Sequence, residues 1–137
     1  MIIDTSALLA ILQAEPEAPA CAKAIEAAEH RRMSAANYLE AAVVMASSRN
    51  PVVSRRFDEL LHTAQIRIEP VTETQARIAR DAYRDFGKGS GHPAGLTFGD
   101  CFAYALAQES GEPLLFTGNG FTYIEYPNSR HRHAPST

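Results

Sequence analysis

Three carboxylates stand alone in otherwise uncharged stretches of this 137-residue sequence. Asp4 is the only charged residue between residues 1 and 14, Glu40 the only one between residues 33 and 48, and Asp100 the only one between residues 89 and 108. An isolated acid in a segment that packs into a core has a desolvation cost of several kcal/mol unless a partner compensates it. A bound metal ion is one such partner, so we expect these acids to form a cation site.

Two of the three acids also have a structural explanation. Asp4 can cap a helix that begins at Thr5, and Asp100 can be the third helical residue of a capping box that begins at Thr97. Glu40 is different, because it is predicted inside a helix with apolar neighbours and without a Lys or Arg at helical spacing. The capping and metal-binding interpretations of Asp4 and Asp100 both stay open at this point.

The composition predicts one soluble globular domain. The chain has 13 basic and 16 acidic residues, a formal charge of −3, and 45% hydrophobic residues. A slightly acidic protein is not a nucleic-acid binder that works through an overall basic surface, although a local basic groove remains compatible with this balance. Neither of the two cysteines lies in a zinc or disulfide pattern, and no segment is typical of a signal peptide or a membrane span. We therefore expect a cytoplasmic protein with no membrane contact.

Strand and helix signals alternate along the chain, which favours an α/β fold with a mainly parallel sheet covered on both faces. Asp4 then follows the first strand, at the sheet edge where ligands bind in such folds. We predict a single domain over residues 1–126 and a polar, flexible tail over residues 127–137. The predicted strands are 1–3, 31–33, 65–70 and 113–117, and the predicted helices are 5–12, 16–30, 35–48, 51–63, 72–86 and 97–108.

Four blocks of the sequence resemble, in order, those of the PIN-domain ribonucleases, and more narrowly those of the VapC toxins of type II (VapBC) toxin–antitoxin systems. The blocks run from Met1 to Leu8, from Ser34 to Glu40, from Leu96 to Tyr104 and from Leu114 to Asn119. The combination of these blocks is far more specific than any one of them.

The resemblance implies a PIN-like α/β/α sandwich in which clustered acids bind Mg²⁺, with Mn²⁺ as a substitute, and cleave RNA phosphodiester bonds. Matched position by position, Asp4, Glu40 and Asp100 correspond to the metal-binding and catalytic acids of the family. The family also implies an RNA substrate, transfer or ribosomal RNA being expected, a cognate VapB-type antitoxin and a homodimer.

One block departs from the family pattern. Family members commonly carry a further acid after the last strand, whereas this chain has Asn119 and Gly120. Asn119 can still offer a neutral oxygen, so we include it among the catalytic residues. Asn-Gly is also the strongest short hairpin signal, which predicts a turn between the strand at 114–116 and a strand at 122–125. The missing acid keeps an alternative function open, a PIN-fold module that binds RNA or antitoxin and cleaves weakly.

Further features of the sequence bear on a second enzyme class and on the surfaces that bind partners and RNA. A phosphatase of the HAD type would carry a second Asp two residues after the first, but this position is Ser6. Helices at 16–30 and 55–63 are candidate surfaces for an antitoxin or a second subunit. The candidate phosphate contacts for RNA are Arg31, Arg32, Arg55, Arg56, Arg67 and the loop from Lys88 to His92.

Overall fold

The computed structural model describes residues 1–124 and 132–133. Short strands and helices alternate along these residues, as the sequence predicts. In chain order they are β1 (Ile2–Ile3), α1 (Thr5–Leu12), α2 (Ala18–Ala27), β2 (Arg32–Ser34), α3 (Ala35–Ser47), α4 (Pro51–Thr63), β3 (Arg67–Glu69), α5 (Glu73–Phe86), α6 (Phe98–Ser110), β4 (Leu114–Phe116), a 3₁₀ helix (Gly120–Tyr123) and β5 (Arg132–His133).

The strands form one parallel sheet in the order β3-β2-β1-β4-β5. β1 is central, pairing with β2 on one side and with β4 on the other. The predicted α/β class and the parallel sheet are therefore confirmed. None of the helices described is both long and apolar enough for a bilayer crossing.

Apolar side chains on the two faces of the sheet belong to separate hydrophobic clusters. Ile3, Met33 and Leu115 pack with residues of α1, α2, α3 and α4. Ile2 and Leu114 pack on the opposite face with residues of α5 and α6. Because successive residues of a strand point to opposite faces, two adjacent isoleucines are enough to anchor both layers. The result is the predicted three-layer α/β/α sandwich.

Polar residues set the starts of the helices that follow strands. The side chains of Asp4 and Ser34 accept hydrogen bonds from the main-chain N–H two residues on, at 3.1 and 3.2 Å. At the start of α5 a capping box is only half formed. Thr72 accepts from the N–H of Gln75, but the Gln75 side chain instead donates to Glu109 of α6. That bond ties α5 to α6.

The predicted hairpin after β4 is wrong. Residues 120–123 form a 3₁₀ helix, in which the carbonyl of Asn119 accepts from both the N–H and the hydroxyl of Thr122. The sheet neighbours of β4 are instead the parallel strands β1 and β5.

The predicted tail falls mostly outside the described residues, which omit 127–131 and 134–137. Within its bounds, Arg132–His133 forms the edge strand β5. The division into a domain at 1–126 and a flexible tail at 127–137 stays a prediction.

Candidate active site

Asp4 lies at the carboxyl end of the central strand and caps α1. One carboxylate oxygen, Oδ2, accepts from the N–H of Ser6 at 3.1 Å and from its hydroxyl at 2.5 Å. The same hydroxyl accepts from the N–H of Thr117, just beyond β4, at 3.0 Å. Ser6 therefore connects the Asp4 carboxylate to the end of the neighbouring strand and fixes its orientation.

The other carboxylate oxygen of Asp4, Oδ1, is buried and has no hydrogen-bond partner among the described residues. Asp4 as a whole is 2% exposed. Burial, followed by repulsion from Asp100 and to a lesser degree from Glu40, raises the pKa of Asp4 from 3.8 to about 7, although the bonds from Ser6 favour the charged form. The Asp4 carboxylate is therefore a buried negative charge, and no cationic side chain among residues 1–124 lowers its pKa.

Glu40 reaches this position from the middle of α3, and its carboxylate lies against the backbone of α6. A methyl group placed on Gly99 would overlap both the carboxylate oxygens and the carboxyl carbon of Glu40. The absence of a side chain at Gly99 therefore makes room for the Glu40 carboxylate directly beside Asp100.

Asp100 belongs to a complete capping box at the start of α6. Its Oδ2 accepts from the N–H of Thr97 at 2.9 Å, and its own N–H donates to the Thr97 hydroxyl at 3.2 Å. Burial raises the pKa of Asp100, the bonds from Thr97 oppose that rise, and repulsion from Glu40 adds to it. Asp4 and Asp100 therefore both cap helices, and they also interact electrostatically with each other and with Glu40.

Sequence reasoning gave no role to a buried amide between these acids. Asn37 is fully buried, donates from Nδ2 to the carbonyl of Gly99 at 3.0 Å, and accepts at its own carbonyl from the Thr5 hydroxyl at 3.2 Å. Its signal in the sequence is a polar residue one turn before Glu40 in an otherwise apolar helix. Ser6, which had served only to exclude a phosphatase, is the second site residue that sequence reasoning missed.

Asn119 follows β4, the strand next to β1, and so lies beyond the same edge of the sheet as Asp4. Its side chain is exposed and makes no cap hydrogen bond to the 3₁₀ helix that begins at Gly120. The side-chain amide oxygen is therefore not used to cap this helix. Its catalytic role stays a prediction.

The donor set fits a hard divalent cation. In the part of the chain that the structure describes, no three His, Cys, Asp or Glu side chains are placed closely enough to hold an ion as they stand. The acids nevertheless repel one another, and Asp4 Oδ1 is buried without a partner. Carboxylate oxygens suit Mg²⁺ and Mn²⁺, and Mg²⁺ usually keeps several waters rather than a complete protein cage. Asp4, Glu40 and Asp100 would hold the ion.

Three of the arginines predicted to contact RNA have structural partners at the opposite end of the sheet. Arg32 begins β2 and pairs with Glu112 and Glu69, while Arg67 also approaches Glu69, at 3.8 Å. Arg31 donates to the carbonyls of Ile25, Glu26 and Ala64 at 2.5, 3.1 and 2.9 Å, which lie at the carboxyl ends of α2 and α4. In contrast, Asp4 lies at the carboxyl end of β1, and Glu40 and Asp100 lie close enough to affect its pKa. Contacts within the fold thus account for Arg31 and Arg32 without RNA, and phosphate binding by Arg31, Arg32 or Arg67 stays a prediction.

Replacing Arg31 by lysine is expected to lower the stability of the protein without weakening RNA binding. Lysine keeps the charge but cannot donate to three carbonyls in fixed directions. We expect the free energy of unfolding in urea to fall by about 1.5–3 kcal/mol, the usual value for bonds from a charged donor. The matched control is Arg55→Lys, an exposed arginine of α4, which should leave stability unchanged. Weaker RNA binding by Arg31→Lys at unchanged stability would contradict this assignment.

The cations that stay available are elsewhere. Arg55 and Arg56 on α4 and Lys88 in the loop before α6 are exposed and form no ion pair within the described residues. Two main-chain hydrogen bonds close the base of this loop. Lys88 N–H donates to the Leu96 carbonyl and Leu96 N–H donates to the Phe86 carbonyl, each at 2.8 Å. The loop presents Lys88 from a closed turn.

Several large apolar side chains on α3, α5 and α6 are exposed. Phe98 is 77% exposed, and it lines a largely apolar groove of about 360 Å³ with Tyr83, Phe102 and Arg80. Leu39 is also exposed, on α3 beside Glu40. Exposed apolar patches of this kind are typical of surfaces that bind other proteins.

Comparisons with known proteins give matches to one protein family. The family model described as PIN domain matches residues 1–125. The chain is 60% identical over 121 residues to Ribonuclease VapC28 of Mycobacterium tuberculosis, covering 88% of this chain and 91% of that protein. It is 49% identical over 125 residues to Ribonuclease VapC42 of the same species, covering 91% and 95%.

A solved structure shares the fold. A chain of a toxin-antitoxin complex from Klebsiella pneumoniae superposes with a TM-score of 0.66 at 19% identity, covering 93% of this chain and 92% of that one. An identity this low supports a common architecture only.

Proposed function

The chain belongs to the PIN-domain family, together with the VapC ribonucleases, and we propose on that basis that it is the ribonuclease toxin of a type II toxin–antitoxin pair. It hydrolyses RNA phosphodiester bonds with the help of a divalent cation, Mg²⁺ or Mn²⁺, bound by Asp4, Glu40 and Asp100. Transfer and ribosomal RNAs are the expected substrates.

One observation carries this proposal. Asp4, Glu40 and Asp100 come from three separate segments, repel one another, and lie without a compensating cationic side chain, with Asp4 Oδ1 buried and unpaired among the described residues. A purely structural role for Asp4 and Asp100 explains one oxygen of each carboxylate, the one that accepts the capping hydrogen bonds. It does not explain why Glu40 is placed beside them on Gly99.

The contacts of each residue indicate its role in cation binding and in orienting the attacking water. Ser6 and Thr97 hold one oxygen each of Asp4 and Asp100, so these two carboxylates keep a fixed orientation. Glu40 has a longer side chain and lies on a backbone surface, which suits a carboxylate that also orients an attacking water. A bound divalent cation supplies a more acidic water, a stabilised leaving oxygen and charge neutralisation at the phosphate.

The proton on Asp4 couples cation binding to pH. With a pKa of about 7, the Asp4 carboxyl is partly protonated in the metal-free protein at neutral pH. A carboxyl group must lose its proton before it can act as a ligand, so the cation binds more tightly as the pH rises through 7.

The RNA backbone is bound by three of the exposed cations that form no ion pair within the described residues, Lys88, Arg55 and Arg56. Each would neutralise one phosphate, so binding should weaken as the salt concentration rises. The small net negative charge of the chain is compatible with this, because it includes the three acids of the cation site.

A VapB-type antitoxin and a second copy of the chain are the proposed protein partners. The exposed apolar residues Leu39, Tyr83 and Phe98 support partner binding, since they leave large apolar side chains open to solvent. They lie on α3, α5 and α6, and the candidate surfaces at 16–30 and 55–63 stay predictions.

The test is cation-dependent cleavage of a panel of transfer and ribosomal RNAs by the purified protein. We expect cleavage with Mg²⁺ or Mn²⁺, none with EDTA, and a loss of about 100-fold or more in rate for Asp4→Asn and for Glu40→Gln. Glu59→Gln, which removes an exposed glutamate from α4, is the matched control and should cleave normally.

Activity that survives both substitutions would exclude the assigned cation site. RNA binding by the wild type without cleavage of any RNA would favour the non-enzymatic module, because Asn119 and Gly120 replace the usual acid. Asn119→Asp, at an exposed position, should then increase Mn²⁺ affinity.

A further inference from the structure

Asn37 is buried completely, in the first turn of α3, yet it is polar. Its Nδ2 donates to the carbonyl of Gly99, so the amide orientation is defined by that acceptor. Its Oδ1 is buried without a hydrogen-bond partner among the described residues. Leaving such an oxygen unpaired costs about 1–3 kcal/mol, so an apolar side chain of similar size would serve packing better.

The two hydrogen bonds of Asn37 connect three segments of the chain that each carry an acid. Thr5, which donates to the main-chain carbonyl of Asn37, directly follows Asp4. Gly99, which accepts from the Asn37 amide, directly precedes Asp100 and also supports the Glu40 carboxylate. Glu40 is three residues after Asn37 on the same helix, a spacing that places both side chains on one side of α3.

We propose that Asn37 is a positioning residue that sets the relative placement of Asp4, Glu40 and Asp100 for cation binding. It acts through main-chain atoms of the neighbouring residues, and it does not touch RNA. The inference rests on the proposed function in that the three acids bind the cation. Its contribution is geometric, because a fixed distance between α3 and the start of α6 decides whether Glu40 and Asp100 can share one ion.

The test measures Mn²⁺ binding to the full chain by titration calorimetry, alongside thermal unfolding in EDTA. Asn37→Leu keeps the volume and removes the donor to Gly99, and we expect its Mn²⁺ affinity to fall about 10- to 100-fold, as is usual when residues that support a metal ligand are replaced. For RNA cleavage, kcat should fall while KM changes less than about threefold, since RNA binding is not affected.

A second variant keeps the test decisive if Asn37→Leu does not fold. Asn37→Ala removes the same donor to Gly99 without adding volume, so its Mn²⁺ affinity should also fall. The Thr5 hydroxyl donates to the main-chain carbonyl of residue 37, so that bond is available in both variants and does not account for the difference.

The matched control for stability is Asn50→Ala. Asn50 caps α4 through its side chain, and its loss should lower stability by about 1 kcal/mol without changing Mn²⁺ affinity. Unchanged Mn²⁺ affinity in Asn37→Leu or Asn37→Ala would overturn the inference, and so would a wild type that does not bind Mn²⁺. A wild type that binds Mn²⁺ but cleaves no RNA would contradict only the proposed function, and the affinities would still decide the role of Asn37.

Discussion

Asp4→Asn is expected to stabilise the metal-free protein at pH 8 while it removes the proposed activity. In the wild type, burial and the repulsion from Asp100 and Glu40 raise the pKa of Asp4 from 3.8 to about 7. That difference in pKa corresponds to about 4 kcal/mol of destabilisation once the carboxylate is charged. Asparagine retains an oxygen that can accept from Ser6 but carries no charge.

The pH dependence gives this prediction its sign. Because the folded protein holds the proton more tightly than the unfolded chain, the contribution of Asp4 to the free energy of unfolding falls as the pH rises from about 4 to about 7. The gain from Asp4→Asn should therefore be largest at pH 8, up to about 4 kcal/mol, and about 1–2 kcal/mol at pH 5. Urea unfolding in EDTA at both pH values measures it.

The matched control is Asp58→Asn, which removes an exposed carboxylate from α4. It should change stability by less than about 0.5 kcal/mol at either pH. An equal effect of Asp4→Asn at pH 5 and pH 8, or a loss of stability at pH 8, would show that burial and repulsion do not destabilise the charged form of Asp4. Added Mn²⁺ should stabilise the wild type more than Asp4→Asn. A ligand stabilises the folded state more when it binds that state more tightly, and Asp4→Asn lacks one of the proposed ligands.

Gly99→Ala should lower kcat/KM about 100-fold, since the added methyl group displaces the Glu40 carboxylate and a shift of about 1 Å in a positioned group has effects of that size. Stability should change by less than about 1 kcal/mol, because alanine favours the helix more than glycine does. The overlap involves the end of a flexible side chain, which can move aside without unfolding the protein. Rates of RNA cleavage and thermal unfolding measure the two quantities.

Replacing Glu40 by the shorter aspartate distinguishes displacement of the Glu40 carboxylate from a general disturbance of α6. In the double variant Glu40→Asp with Gly99→Ala, the carboxylate is withdrawn from the methyl group, so the second substitution should cost much less activity than it does beside glutamate. Equal losses in both backgrounds would show that the two positions act independently.

The sequence predicted the acids of the site because their isolation is a local property. Asp4, Glu40 and Asp100 each lie in an uncharged stretch, and the strand-then-helix pattern around Asp4 was enough to place it at the sheet edge. The capping interpretation of Asp4 and Asp100 is confirmed, since one oxygen of each carboxylate accepts a hydrogen bond at a helix start, whereas their cation binding stays a prediction.

The remaining features depend on contacts between distant segments. Arg31 binds a carbonyl 33 residues away, which no local pattern reveals, so it was assigned to RNA. Asn119–Gly120 has a strong turn signal, but β4 already has parallel neighbours on both sides and offers no edge to an antiparallel strand. The space at Gly99 arises only where α3 and α6 meet.

The order of segments in the sheet has a consequence for protein synthesis. The central strand β1 is made among the first residues, but its partner β4 and the helix that carries Asp100 are made more than 90 residues later. Parallel pairing over such a separation cannot form until the later segment has left the ribosome. A chain whose synthesis stops before α6 lacks Asp100, and it therefore has no assembled acid site.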